Sequence, residues 1–566
     1  MAVPHPAAQI GFADFYKDFD SFIENVCGRS SYSLRHPTRV GSHFYQSQYA
    51  SKSDDANQID EDPASFSAQR TWASSYFSYR HFTHIHKFFG SQDFLSLEQQ
   101  YSWMLKLDVA RCFESIYTHS ITWALRGKDF GKENKQKKFF ESCFDVRMRN
   151  ANWGETNGIL IGPEVSRIFA ECIMQSLDVE LATSLGNDRS KIAIRRYVDD
   201  YFLFSNSTEL LSKAESTLES IASKFNLHFN QSKRSLVPRP FVAPFAVARQ
   251  RVRILLEEIL RLMRQQLTEE DPSEPFSARS SDKTIAEIRR IASQYNADYS
   301  TLASPSLAVI ARGLAKLNAR TRDALPDFAA ERVDRINSTL LRISAFLYVM
   351  DIRAATSDNV ARVFLECSQL NRKAGRGRIA FEGLIQDVLR LALAQAKLTD
   401  TTGPEVINIL VAADAVCSNV RTITDDALRS ALGMDIDWVA GCSKLNYFDL
   451  VAILYLTGRR RSLSDARQAA CNEIESRVRK CGRKLGDHAE ETMLFFDYLS
   501  CAYVPEPRRL TLLTNVALAH GATLTKAVAK SHLDVTSKSI GFVAWDGARN
   551  FKGMLARRQL QPAYDS

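Results

Sequence analysis

Residues 192–204 read Ile-Ala-Ile-Arg-Arg-Tyr-Val-Asp-Asp-Tyr-Phe-Leu-Phe. Two apolar runs flank a tight Asp-Asp break, and that pattern closes as a β-hairpin. The hairpin carries two carboxylates, Asp199 and Asp200, at its tip. A second strand pattern, Trp103–Val109, brings Asp108 to its end, with a helix start close behind. An Asp in that place is also the usual cap of the next helix, and Asp-Asp is also an ordinary turn. Each motif alone reads better that way. Together and in order, they offer one carboxylate from each of two adjacent strands. Such a pair can hold hard cations such as Mg²⁺, which prefers oxygen ligands and shares its shell with substrate phosphates. Two ions about 4 Å apart can activate one oxygen and stabilise another, as nucleotidyl transfer requires.

The surrounding pattern is mixed up to about residue 240. Helical spacing over Glu164–Leu185 and Leu210–Phe225 alternates with the strand pieces Trp103–Val109 and Ala193–Phe204, which predicts an α+β unit with a small antiparallel sheet. From residue 245 onward the periodicity is helical almost throughout. Helices are expected over Ala246–Leu267, Leu307–Arg320, Ala329–Met350, Asn359–Gln369, Ile379–Lys397, Leu450–Leu456, Asp465–Lys480 and His488–Tyr498. The expected division is therefore 1–245 and 246–566. The acidic, Ser-rich stretch 265–283, with two prolines, is the best linker or long-loop candidate. No clean repeat period emerges, which leaves a regular solenoid open.

The net charge of +8 is too small to establish nucleic-acid binding. It is unevenly placed: residues 1–250 hold 29 basic and 28 acidic residues, and residues 251–566 hold 44 and 37. Basic clusters in the second part are Arg459-Arg460-Arg461, Arg477 with Arg479 and Lys480, Arg483-Lys484, Arg372-Lys373 and Arg376 with Arg378. They read either as phosphate contacts or as solvated helix faces. The ten cysteines include no C-x-x-C pair and read as reduced thiols rather than a disulfide frame. The N-terminus has no signal-peptide pattern, and no apolar run approaches membrane-spanning length.

Asp108 followed by Phe113, then Gly158-Ile-Leu-Ile-Gly162-Pro163-Glu164, then Tyr197–Asp200, resembles the palm of the reverse transcriptases. The resemblance implies a fingers-palm fold with a small antiparallel sheet, followed by a large all-α, helical-repeat-like domain in place of the thumb. It implies Asp108, Val109, Asp199 and Asp200 as the metal set, holding two Mg²⁺ or Mn²⁺ ions, with Asp200 the weaker carboxylate. Phe113 becomes a ring against the ribose 2′ position that favours dNTP substrates, the alternative being an ordinary core aromatic. Gly162 and Pro163 border the incoming nucleotide and also suit a helix start. Lys233, in Phe225–Lys233, would stabilise departing pyrophosphate, or is a surface lysine. Arg70 and Arg80 are candidates for the triphosphate, with Arg35 and Arg39 as rivals. Lys132, Lys135, Lys137 and Lys138 are further cations near the palm.

Ser115–Ala124 and the Ile-Gly-Pro-Glu segment look like the bacterial abortive-infection reverse transcriptases of the AbiK type. That group implies a cytoplasmic phage-defence DNA polymerase, with template-independent and protein-primed synthesis, a covalently attached DNA product and homo-oligomers among its properties. Two alternatives stand beside it. One is an RNA-templated enzyme copying a dedicated non-coding RNA. The other is a phage-sensing scaffold with a vestigial palm.

Overall fold

The computed structural model describes residues 2–41, 75–82, 84–127, 129, 139–272, 280–321, 325–417, 423–434, 437–458, 460–539, 541–545, 551–557 and 563–565. Two compact units result: Met1–Val242 with Gln559–Ser566, and Ala243–Arg558.

The first unit is built on two sheets. The smaller joins β1 (Pro37–Val40), β2 (Phe77–Arg80) and β7 (Ala563–Asp565). β7 runs parallel to β2, which is why the last residues group with this unit rather than with the helices before them. The larger sheet is antiparallel and contains β3 (Trp103–Asp108), β4 (Ile192–Tyr197), β5 (Asp200–Ser205) and β6 (Ser235–Pro238), in the order β4-β5-β3-β6.

β5 explains the unbroken apolar run after the Asp pair. Alternate side chains of a strand leave opposite faces. Tyr201 and Leu203 enter one core with Phe15, Ile168, Phe169 and Leu218. Phe202 and Phe204 enter another with Phe88, Phe94, Leu97 and Phe241. A strand covered on both faces needs no polar alternation. Residues 6–27, which carry no marked helical expectation, form a helix, Pro6–Cys27, whose Phe12, Phe15 and Ile23 help to cover the first face.

The second unit is helical. Pro244–Thr268, Tyr299–Arg320, Ala354–Lys373 and Pro404–Val416 pack side by side, each against the next in that series. Ser280–Gln294, Asp327–Met350 and Arg378–Leu398 form a second such series. Helices therefore neighbour the helix two further along the chain, which stacks them as successive pairs around one continuous apolar core. At one of these approaches a Cβ on Gly313 would lie 2.3 Å from Leu260 Cδ1, so that leucine side chain would have to move to admit it. The stretch 265–283 lies within this unit: residues 265–268 end one helix, 280–283 begin the next, and 273–279 lie outside the described residues.

Several arginines that read either as phosphate contacts or as solvated helix faces are paired inside this unit. Arg460 is buried, pairs with Asp414 and donates to the Leu456 carbonyl at 2.6 Å. Arg477 joins Glu473, Glu490 and the carbonyls of Cys442, Ser443 and Leu445. Arg479 pairs with Glu475 and Arg376 with Asp334. Arg372, Arg461, Lys480 and Lys484 are exposed, whereas Arg459 and the Arg378 side chain lie outside the described residues. Among the described residues no helix is long and apolar enough to cross a membrane.

Candidate active site

The end of the larger sheet gathers the predicted carboxylates. β3 and β5 pair so that Asp108 stands opposite Asp200. The Val109 amide donates to the Asp199 carbonyl at 3.3 Å, and Asn230 N donates to the Asp108 carbonyl at 2.8 Å. Two left-handed residues shape the rim. Arg111 (φ +48) turns the chain after β3 into a short helix, Cys112–Ser115. Val198 (φ +59) is the first central residue of the β4–β5 turn, and Asp199 is the second. A positive φ there alone is the type II′ pattern, normally filled by glycine; for a β-branched residue it is strained.

A cleft of about 460 Å³ opens at this edge, lined by Asp108, Val109, Phe113, Ile161, Asp199 and Lys233, with Ala110, Arg111, Cys112, Glu114 and Asn230 completing its wall. Lys233 Nζ lies 3.0 Å from Asp108 Oδ2, and Lys106 Nζ lies 3.8 Å from Asp200 Oδ1. The bond to Asp108 holds the Lys233 ammonium above its ordinary pKa. Asp199 has less help. Burial, together with the negative charges of Asp200 and Asp108, pushes its carboxyl up to about 6. Burial also raises Asp200, against the opposing charges of Lys106 and Lys233. A crowded set of oxygen donors that ionises reluctantly suits a hard divalent cation, which would relieve that repulsion.

Behind the turn lies a buried ionic cluster. Arg196 on β4 is 0% exposed. Its Nε donates to Asp178 at 2.9 Å, while Nη1 and Nη2 reach Glu171 at 2.8 and 2.9 Å. Nη1 also donates to the Val198 carbonyl at 2.9 Å, the residue with the strained backbone. Tyr201 Oη donates to Asp178 at 2.7 Å, and Gln175 Nε2 donates to Glu171 at 2.6 Å. Burial alone would raise the Glu171 carboxyl, but the Arg196 guanidinium outweighs it and holds it below the ordinary range. Sequence reading passed this cluster over. Its signal was present: Glu171, Gln175 and Asp178 recur at helical spacing, on one face among buried apolar residues such as Phe169, Cys172, Met174 and Leu177.

The other expected residues fall as follows. Phe113 is half-buried in the cleft wall, and Ile161, not singled out from sequence, lines the cleft while 49% exposed. Gly162 takes φ +125, and Pro163 caps the helix Glu164–Leu185; neither lines the cleft. Arg80 ends β2, is exposed and stands outside the lining. Arg35 is buried, packs over the Tyr79 ring at 4.4 Å and lies 3.8 Å from Glu164. Arg39 is exposed on β1. Arg70, Lys132, Lys135, Lys137 and Lys138 lie outside the described residues.

Residues 60–255 match the family described as reverse transcriptase (RNA-dependent DNA polymerase). None of the curated proteins matches. Among solved structures, apo telomerase from Candida tropicalis is 11% identical with a TM-score of 0.23, over 56% of this chain and 55% of that one. Telomerase from Candida albicans, in complex with a fragment of telomeric RNA, is 11% identical with a TM-score of 0.22, over 73% and 54%. The alignments span about half the length of those chains, and likeness at this level carries no argument about the present one. The family match covers every residue of the cleft, so residues 60–255 are a reverse transcriptase-like segment.

Proposed function

We propose that this chain is a metal-dependent nucleotidyltransferase of the reverse transcriptase class that adds deoxynucleotides to a growing 3′ end. The observation that carries the reading is the cleft that brings Asp108, Asp199, Phe113 and Lys233 to one end of a sheet. Asp108, Val109, Asp199 and Asp200 are the groups that would hold Mg²⁺ or Mn²⁺. Two such ions, when bound, would activate the attacking oxygen and stabilise the leaving one. Lys233 pairs with Asp108, and with cations held by that carboxylate its ammonium would be available to stabilise the departing pyrophosphate. Asp200, partly neutralised by Lys106, is the weaker ligand. Phe113, in the cleft wall, is the ring that would stand against a ribose 2′ hydroxyl and exclude it.

The resemblance to the abortive-infection group extends the proposal to phage defence, with template-independent, protein-primed synthesis, covalently attached DNA and homo-oligomers. The test is incorporation of labelled dNTPs or NTPs by purified protein with Mg²⁺ or Mn²⁺, before and after nuclease treatment. Incorporation by the wild type is expected to vanish in Asp199→Asn. Phe113→Ala should raise ribonucleotide use roughly tenfold or more. A wild type inactive under all these conditions would overturn the enzyme reading. Unchanged phage protection in Asp108→Ala cells would favour a scaffold. A defined complementary product would favour an RNA template over untemplated synthesis, and protease treatment of the product tests its attachment.

A further inference from the structure

The helix Ser464–Cys481 ends in a thiol. The chain then folds back through a 3-10 segment, Gly482–Asp487, into the helix Ala489–Ser500. This turn is held firmly. Gly482 takes φ +53, and buried Leu485 accepts hydrogen bonds from Thr492 Oγ1 at 2.6 Å and from His488 N at 3.1 Å. His488 precedes the second helix and Glu491 lies in its first turn, three residues on, so both share one face beside the end of the first helix.

One ligand atom each of Cys481, His488 and Glu491 lie within 4.8 Å of one another, and all three residues are half-buried. Among the described residues this is the one such trio of His, Cys or carboxylate groups. Neither the Cys481 thiol nor the Glu491 carboxylate has a hydrogen-bond or ion-pair partner among the described residues. Two neighbouring arginines are engaged elsewhere: Arg483 donates to the Ala519 carbonyl at 2.9 Å, and Arg477 pairs with Glu473 and Glu490. A carboxylate and a thiol thus stand beside an imidazole within ligand distance of one another.

We propose that Cys481, His488 and Glu491 form a metal site for a zinc ion that braces the two helices, separate from the polymerase cleft. The donor set selects the metal. Mg²⁺ favours oxygen alone, whereas mixed sulfur, nitrogen and oxygen donors suit Zn²⁺. Zinc bonds of about 2.0–2.3 Å set tetrahedral ligands roughly 3.3–3.7 Å apart, so small side-chain rotations close the trio. Three protein ligands leave the fourth position to water. On binding, the Cys481 thiol releases its proton to solvent and the thiolate sulfur bonds the metal.

The test uses the full chain, stripped with a chelator and titrated with Co²⁺ without Mg²⁺. One equivalent should produce a thiolate-to-cobalt charge-transfer band in the near ultraviolet, and Zn²⁺ should displace it. Cobalt held by the cleft carboxylates would give no thiolate band, so this readout is independent of the polymerase reading. Cys481→Ala should abolish the band. His488→Ala and Glu491→Gln should each weaken binding roughly tenfold or more, with wild-type circular dichroism confirming their fold. Absence of the band in the wild type overturns the site. So does its persistence in Cys481→Ala. Wild-type affinity in both folded His488 and Glu491 variants does the same, and decides the matter should Cys481→Ala fail to fold.

Discussion

Arg196→Met offers a direct test of what holds the Val198–Asp199 turn in place. The guanidinium is fully buried and serves three acceptors: the Asp178 carboxylate, the Glu171 carboxylate and the Val198 carbonyl. Methionine approximates the stem but supplies no donor, so two buried carboxylates lose their cation. Removing one partner of a buried ion pair costs about 3–5 kcal/mol, against a total domain stability of about 5–15 kcal/mol. Urea unfolding followed by circular dichroism should show the midpoint falling at near-constant slope.

The pH dependence has a definite sign. In the wild type, the lowered Glu171 carboxyl contributes stability that is present above its unfolded pKa and lost as pH falls through its folded value. In the variant, burial without Arg196 raises both carboxyls. The deficit should then be largest at neutral pH and shrink as the medium becomes acidic enough to protonate them. Neutralising both acids in the same background, with Glu171→Gln and Asp178→Asn, should recover much of the loss. A variant within about 1 kcal/mol of wild type at pH 7 would refute the reasoning, since that is the scale of an exposed pair. So would a deficit that both neutralising substitutions leave untouched.

Three further outcomes follow from the cleft. Asp199 is a carboxyl raised to about 6, so the charged form that would bind a metal prevails only above that pH; divalent-ion affinity, measured by Mn²⁺ binding, should fall as pH drops through about 6. Lys233→Met removes the cation that competes for Asp108, and because the Lys233 side chain is 61% exposed the pair is worth only about 0.2–1 kcal/mol. Metal binding should tighten by up to about fivefold while turnover falls, and a variant unchanged in both would contradict the assigned role. Val198→Gly should relieve the left-handed strain and raise stability by about 1–2 kcal/mol in thermal or urea unfolding, whereas a loss of stability would show that the valine side chain outweighs the backbone cost.

Local patterns were legible where one segment contained its own explanation. The Asp pair and its flanking apolar runs appear as β4 and β5, and the 3.6-residue spacing over Glu164–Leu185 appears as that helix. The helical texture after residue 245 appears as long helices, with starts set two residues before the expected ones in Pro244–Thr268 and Asp327–Met350. Arg460 and Arg477 were misleading because a basic residue reads alike whether it meets phosphate or a buried carboxylate. Its partners, such as Asp414 and Glu490, are supplied by other helices.

By itself the sequence determined which residues could bear the chemistry. Carboxylates sit at strand ends, an aromatic follows Asp108 by five positions, and each strand or helix is written in its own periodicity, because those signals depend on near neighbours. Only the tertiary structure decided which groups meet. The sheet order β4-β5-β3-β6 sets Asp108 opposite Asp200, places Lys233 on Asp108, and buries Arg196 between Glu171 and Asp178 behind the Val198 carbonyl. Those contacts depend on strand register and on burial, which strengthens a charge pair and penalises an unpaired charge, and neither is a property of any one segment.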